Sequence, residues 1–382
     1  MLFIFSLNSI IEKRSVTDIL VAKTAEQNLI YLTEELNRQD LLILRKLHKF
    51  YCPDCGSSVL LKIGDIKIPH FAHKSLSVCG SSEQESSLHL QGKILLQQFF
   101  ITKGIPVEIE SYLPDIRQRA DVFVARHTVI EYQCSPISAT DIVRRSAAYS
   151  RHGLEFIWIA GSKETMENRI QILRIREYQR EMLLNHNHSN YLMLLNPEVK
   201  QFQYFSNLFH ISGSKWAGKV VTLPLDRQTH PFAKPKPLSK KDFDSICTIF
   251  VNARASFVQS QYFAKRRYQN PFWLLCYELQ LDMRNLPDSI GVPISGADCI
   301  AGHVVIWQLK MLRAYRQGIP NEKVISSGII KIQGASDARK AEAVLNDYAD
   351  FLKEVEDAEG DQLKQIDALY DIYCKSVRKL RK

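Results

Sequence analysis

A chain of 382 residues can bury a substantial core and is long enough for two or three domains. Its composition, 45% hydrophobic and 24% charged, is that of an ordinary soluble globular protein. No run approaches the roughly 20 uninterrupted apolar residues of a membrane helix, so a membrane span is excluded. The net charge of +9 favours a polyanionic partner, nucleic acid first, and says nothing of chemistry.

The opening "MLFIFSLNSII" is too short for a bilayer and lacks both a preceding basic segment and a following cleavage site. It reads as a first strand or as an extension outside the folded core. Residues 1–50 form an N-terminal segment in which "TAEQNLIYLTEELNRQDLLILRKLHKF" holds apolar positions at helical spacing. Residues 51–80 are short, turn-rich and punctuated by Cys and His. Residues 81–162 read as an α/β core: a helix "SEQESSLHLQGKILLQQFF" capped by Ser81 or Ser82, strands "PVEIESYL", "ADVFVA" and "TVIEYQCS", a helix "SATDIVRRSAAYSRHG", and a strand "LEFIWIAG". Ser138 with Asp141 makes a capping box, and Gly153 is a C-terminal stop. Residues 163–228 mix a helical run, "ETMENRIQILRIREYQREMLL", with three strand-like pieces. The proline-rich, basic "THPFAKPKPLSKKDF" is a linker to a mainly helical domain over 229–382, which ends in the basic tail "KSVRKLRK".

Of eight cysteines only Cys52, Cys55 and Cys79 cluster, which fits one metal site in a reducing compartment, the cytoplasm, and not a disulfide framework. Cys52-Pro-Asp-Cys55, His70-Phe-Ala-His73 and Cys79 offer five soft ligands for a four-coordinate ion. Zinc takes four N or S ligands, and a C-x2-C turn is the usual way to present two of them. Cys52 and Cys55 lead the set, with His73 and Cys79 favoured for the second pair and His70 as alternate. The surplus of soft ligands closes the shell, so the zinc is expected to be structural.

A second cluster is acidic. Strand alternation puts Glu131 and Gln133 on one face. Asp121 joins that face if the hairpin loop is odd, for example Arg126 to Thr128 with Ala125 opposite Val129, a register that sets Asp121 across from Gln133. Two converging carboxylates are hard ligands for Mg²⁺ or Mn²⁺. Glu85, His89 and Lys93 lie at i, i+4 and i+8 on the preceding helix. Glu85 supplies a further carboxylate there, and Lys93 a cation near developing negative charge. Arg117, Arg119, Arg144 and Arg145 are placed to hold phosphates. The alternative is a network of structural acids satisfied by those same arginines.

The layout D-x9-E-x-Q, with E-x3-H-x3-K before it and a helix and strand after, is that of the PD-(D/E)xK nucleases, with Gln133 in the lysine position. More specifically, "CPDCG", "KIGDIKIPHFAHK", "ESSLHLQGK" and "RQRADVFV…VIEYQCSPIS…R…Y" resemble the competence protein CoiA family, nuclease-like and zinc-bearing. The resemblance is close over about 50 to 160 and looser through "NPFWLLCYELQLDMRNLPDSIGVP". It implies zinc on Cys52, Cys55, His73 and Cys79, and a nuclease-like centre of Glu85, Asp121, Glu131 and Gln133. It also implies a role in natural transformation and DNA recombination. The expected protein hydrolyses phosphodiester bonds in single-stranded or branched DNA, with Lys93 or Gln133 positioning water. Gln133 cannot carry lysine's charge, so a catalytically inactive factor that binds DNA or a recombinase is the alternative.

"NHNHSN" at 185–190 suggests an HNH nuclease but lies in an apparent helix-to-strand loop. Trp158, Trp273 and Trp307 sit in apolar runs and read as core. Tyr132 and Tyr149, beside the acidic site, are candidates for stacking on a base.

Overall fold

In a computed structural model, residues 18–32, 36–53, 55–64, 68–74, 86–187, 189–333, 338–356 and 361–378 are described. The apolar opening segment, Cys79, Glu85 and the end of the basic tail lie outside them. The chain divides into two units, 1–163 with 195–200, and 164–194 with 201–382.

The first unit begins with an antiparallel sheet of short strands: β1 (Asp18–Ile19), β2 (Val21–Thr24), β3 (Leu29–Tyr31), β4 (Phe50–Tyr51), β5 (Ser58–Lys62) and β6 (His70–His73), in the order β1-β6-β5-β4-β2-β3. Strands from both sides of residue 50 share this sheet. The run expected to be helical from residue 24 splits into β3 and α1 (Arg38–Leu47), because Asn37 breaks it, accepting from the Gln39 and Asp40 amides as N-cap. Ile19, Leu20, Val21, Phe50, Val59, Leu61 and Phe71 are buried, and the Phe50 and Phe71 rings meet at 4.8 Å.

The α/β core follows in the expected order: α2 (Ser87–Ile101), β7 (Val107–Leu113), β8 (Gln118–Val124), β9 (Thr128–Gln133), α3 (Ala139–Arg151) and β10 (Glu155–Gly161). Ser86, not Ser81 or Ser82, caps α2 by accepting from the His89 amide. β7, β8 and β9 are antiparallel neighbours, and β10 returns parallel to β9 after the α3 crossover. α2 lies close on the sheet through Gly92, where a Cβ would overlap the Tyr132 ring. Ser138 caps α3 by accepting from the Asp141 amide, and its hydroxyl donates to Asp141 Oδ2 at 2.6 Å.

The second unit pairs β11 (Ile170–Arg174), β15 (Lys215–Pro224), β14 (Gln201–Ser212) and β13 (Ser189–Asn196, its last two residues counted with the first unit) in that order, with α4 (Glu177–Arg180) and β12 (Leu184–His186) between β11 and β13 in sequence. The long helix expected from "ETMENRIQILRIREYQREMLL" does not form: the stretch holds the strand β11 and the short helix α4. Ile172 and Arg174 are exposed while Leu173 and Ile175 are buried, a period of two that pairs with β15. Helices α5 (Lys240–Tyr262), α6 (Pro271–Glu278), α7 (Val304–Arg316), α8 (Asn321–Ser326), α9 (Ala338–Val355) and α10 (Gln362–Arg378) complete it. Phe209 and Ala217 from the strands share one apolar core with Phe243, Phe250, Trp307, Tyr348 and Tyr373 from the helices. Among the described residues, no helix is long and apolar enough to cross a membrane.

Candidate metal cluster and carboxylate site

Cys52 and Cys55 flank a tight turn in which the Gly56 amide donates to the Cys52 carbonyl at 3.0 Å and the Cys52 amide to the Ser57 carbonyl at 2.8 Å. Gly56 has φ of +69°, a left-handed conformation that glycine takes at no steric cost. Strand β6 pairs with β5 (Val59 opposite His73), which brings His73 over this turn, with Nε2 3.4 Å from Cys55 Sγ. One ligand atom from each of Cys52, Cys55 and His73 lies within 4.8 Å of the others, so the three can hold a metal ion. His70 Nδ1 lies 2.8 Å from the Ile68 carbonyl, and His73, not the alternate His70, is the histidine that gathers with the two cysteines.

The β8–β9 loop falls one residue earlier than expected: Val124 pairs with Thr128, and Ala125 and Arg126 both take positive φ to close the three-residue turn. The ladder continues only as far as Val122 opposite Ile130, so the expected pairing of Asp121 with Gln133 does not form. There the ladder gives way, and the Tyr132 amide donates to Asp121 Oδ2 at 2.8 Å. His89 Nε2 from α2 lies 3.3 Å from the same oxygen. Glu131 is fully enclosed; its Oε1 accepts from Arg145 at 2.6 Å and from the Tyr149 hydroxyl, both on α3. Its Oε2 is buried and meets no donor among the described residues.

The two acids are driven in opposite directions. Burial pushes the Glu131 carboxyl up to about 7 against the pull of Arg145, with the charge of Asp121 adding to the rise. Burial also opposes ionisation of Asp121, but the charge and hydrogen bond of His89, with Lys93 and Arg145 behind them, hold that carboxyl well below the usual range.

Two sequence comparisons bear on this arrangement. The model for the competence protein CoiA N-terminal domain matches residues 33–82, and that for the CoiA nuclease-like domain matches residues 85–235. Competence protein CoiA of Bacillus subtilis (strain 168) is 27% identical over 273 residues, covering 69% of this chain and 71% of that protein. The chain belongs to the CoiA family. No solved structure matches it.

Within the CoiA nuclease-like region, the singled-out residues separate into inward and outward sets. Lys93 is fully buried, and its ammonium donates to Glu110 Oε1 at 2.8 Å. Gln133 is buried and donates to the Ser135 carbonyl at 2.9 Å. Arg119 donates to the Glu110 carbonyl at 2.8 Å, and Arg145 to Glu131, so these two arginines are spent within the protein. Arg117 and Arg144 are exposed, the latter paired with Asp141 at 3.1 Å. Tyr132 and Tyr149 are fully buried, which removes both as base-stacking platforms; the Tyr132 hydroxyl donates to the Leu195 carbonyl at 3.1 Å. Trp158 and Trp307 are core, as expected, and Trp273 is half-buried against Phe272 and Tyr262. In "NHNHSN", Asn185 and His186 pair with Asn190 and Ser189 in a β-hairpin, and His188 lies outside the described residues.

Sequence reasoning passed over Glu110. It sits in β7 at φ +51° and is buried; its carboxylate accepts from Lys93 and from the Leu20 and Val21 amides, at 2.9 and 3.2 Å. It thereby ties the first strands of the N-terminal sheet to the α/β core. The available signal was an acid inside the apolar strand "PVEIESYL", which needs a buried partner as much as Asp121 does.

Proposed function

We propose that this CoiA-family protein is a metal-dependent DNA nuclease of the PD-(D/E)xK type, acting in natural competence, transformation and DNA recombination. The observation that carries the reading is the pair Asp121 and Glu131. They stand on adjacent strands of a helix–three strands–helix–strand core, Glu131 fully and Asp121 partly buried, with the Glu131 Oε2 atom left without a donor among the described residues. A cation fits this arrangement because buried carboxylate oxygens without donors are hard ligands in search of positive charge. Asp121 and Glu131 would hold Mg²⁺ or Mn²⁺, with Glu85 as a further carboxylate. When bound, such an ion polarises the phosphodiester and lowers the pKa of the attacking water.

The chain's own groups do the rest. Arg117 and Arg144, exposed, meet DNA phosphates, while Arg119 and Arg145 brace the site from inside. Lys93 contributes charge beside Asp121 from its ion pair with Glu110, and Gln133 orients water if its amide leaves Ser135. Cys52, Cys55 and His73 form a structural zinc site with Cys79 as fourth ligand, His70 remaining the alternate. The family and the charge of +9 support DNA, single-stranded or branched, as substrate, recombination proteins as partners and the cytoplasm as compartment.

A second reading, a non-catalytic recombination factor that binds DNA or a recombinase, is favoured by one observation. The two candidates for positioning water, Lys93 and Gln133, are both engaged, by Glu110 and by the Ser135 carbonyl. The deciding experiment incubates single-stranded, duplex and branched DNA with Mg²⁺ or Mn²⁺ and compares wild type with Glu131→Ala at equal zinc content. Cleavage that disappears in the variant supports the nuclease. Salt-sensitive binding with no cleavage in either protein supports the binding factor.

A further inference from the structure

The oxygens of Glu131 are treated unequally, and the cause is on α3. Arg145 and Tyr149 stand four residues apart, on one helix face, and both donate to Oε1. Each donor is itself fixed. Arg145 also donates to the Arg119 carbonyl at 3.2 Å and lies over the Trp158 ring at 5.4 Å, and the Trp158 indole N–H is held by Ser146 Oγ at 2.9 Å. Tyr149 is fully buried in a small core with Ala120 and Val129, its ring 6.2 Å from that of Phe156. Turning the Glu131 carboxylate would break a charged and a neutral hydrogen bond together, in a place water does not reach.

We propose that Arg145 and Tyr149 are positioning residues for metal binding: they clamp Oε1 and so present Oε2 of Glu131 to a divalent cation. The inference rests on the reading of Asp121 and Glu131 as a metal centre. It reassigns Arg145 and Tyr149, which sequence alone offered for phosphate and base contact, to the support of a carboxylate. The two clamp members differ in kind. Tyr149 orients the carboxylate without charge, whereas Arg145 orients it while repelling an incoming cation. Tyr149 is therefore the cleaner probe.

The test titrates full-length, zinc-loaded protein with Mn²⁺ in the absence of DNA, following free Mn²⁺ by electron paramagnetic resonance. Wild type, Glu131→Ala and Tyr149→Phe are compared, with metal-free DNA affinity measured in parallel. Removing a partner that orients a metal ligand lowers metal affinity about 10- to 100-fold. That is the loss expected for Tyr149→Phe, with metal-free DNA affinity unchanged. Mn²⁺ affinity equal to wild type in Tyr149→Phe, together with loss in Glu131→Ala, overturns the clamp and leaves the metal centre standing. Failure of wild type to bind Mn²⁺ overturns both. If thermal unfolding shows Tyr149→Phe to be unfolded, Arg145→Lys, which keeps the charge but loses the forked contact to Glu131 and Arg119, takes the same measurement with the same two outcomes.

Discussion

The Cys52, Cys55 and His73 cluster and the Asp121 and Glu131 pair lie in the same unit and are built on opposite principles. The first gathers soft ligands on a turn and one short strand, one of them, Cys55, exposed, in a sheet whose strands run from two to five residues. The second sets hard oxygens into long apolar strands, where helices α2 and α3 supply the counter-charges. A metal in the first would hold the backbone together. In the second the backbone is already held, and a metal would complete an unfinished charge balance. Each kind of site therefore fails differently when perturbed.

The largest effect is expected from removing metal at the cysteine cluster. Structural zinc contributes on the order of 10 kcal/mol to folding of small domains, so chelation or Cys52→Ala should open the sheet containing β4, β5 and β6. Hydrogen exchange followed by mass spectrometry should show lost protection over residues 36–74 while residues 107–161 stay protected. Uniform protection after verified zinc loss would abolish the distinction drawn between the two sites.

Next in size is the buried pair Lys93 and Glu110. Removing one partner of such a pair typically costs about 3–5 kcal/mol, because the other charge stays buried. Lys93→Met should lower the urea midpoint by a corresponding amount, and Lys93→Met with Glu110→Leu should recover part of it, although Leu20 and Val21 then lose their acceptor. A single variant as stable as wild type would mean that Glu110 is satisfied by Arg119 and backbone amides alone.

The smallest effect is in pH dependence. Glu131 is raised from 4.5 to about 7, so the folded protein keeps a proton that the unfolded chain has lost. Stability from this group falls as pH rises through that window. Asp121 is lowered, so its contribution is present above the ordinary carboxylate range and is lost as pH falls below it. With zinc retained and Mg²⁺ and Mn²⁺ omitted, melting temperature should decline from about pH 4.5 to 7 in wild type, and Glu131→Gln should flatten that decline. An unchanged slope in the variant would assign the titration to another group.

Much of this was readable from particular residues. The Cys52-x2-Cys55 turn is a local geometry, so spacing was enough to find it. The capping of α3 by Ser138 and the order of elements from α2 to β10 follow from periodicity and side-chain chemistry within a few residues. Where local signals conflicted, the reading slipped. "RIQILRI" carries both helical and alternating apolar spacing, and only pairing with β15 makes it a strand. The hairpin loop was misplaced by one residue because turn closure at Ala125 and Arg126 uses left-handed backbone at residues without glycine.

The sequence by itself determined which side chains are candidates for chemistry: soft ligands at close spacing, acids inside apolar strands, arginines near them. The tertiary structure alone decided what each acid meets: Asp121 with His89, Glu131 with Arg145 and Tyr149, and Glu110 with Lys93 and the first strands. The physical reason is that ligand spacing on a turn is set by neighbouring residues, whereas the partner of a buried charge is set by whichever distant element the fold lays against it.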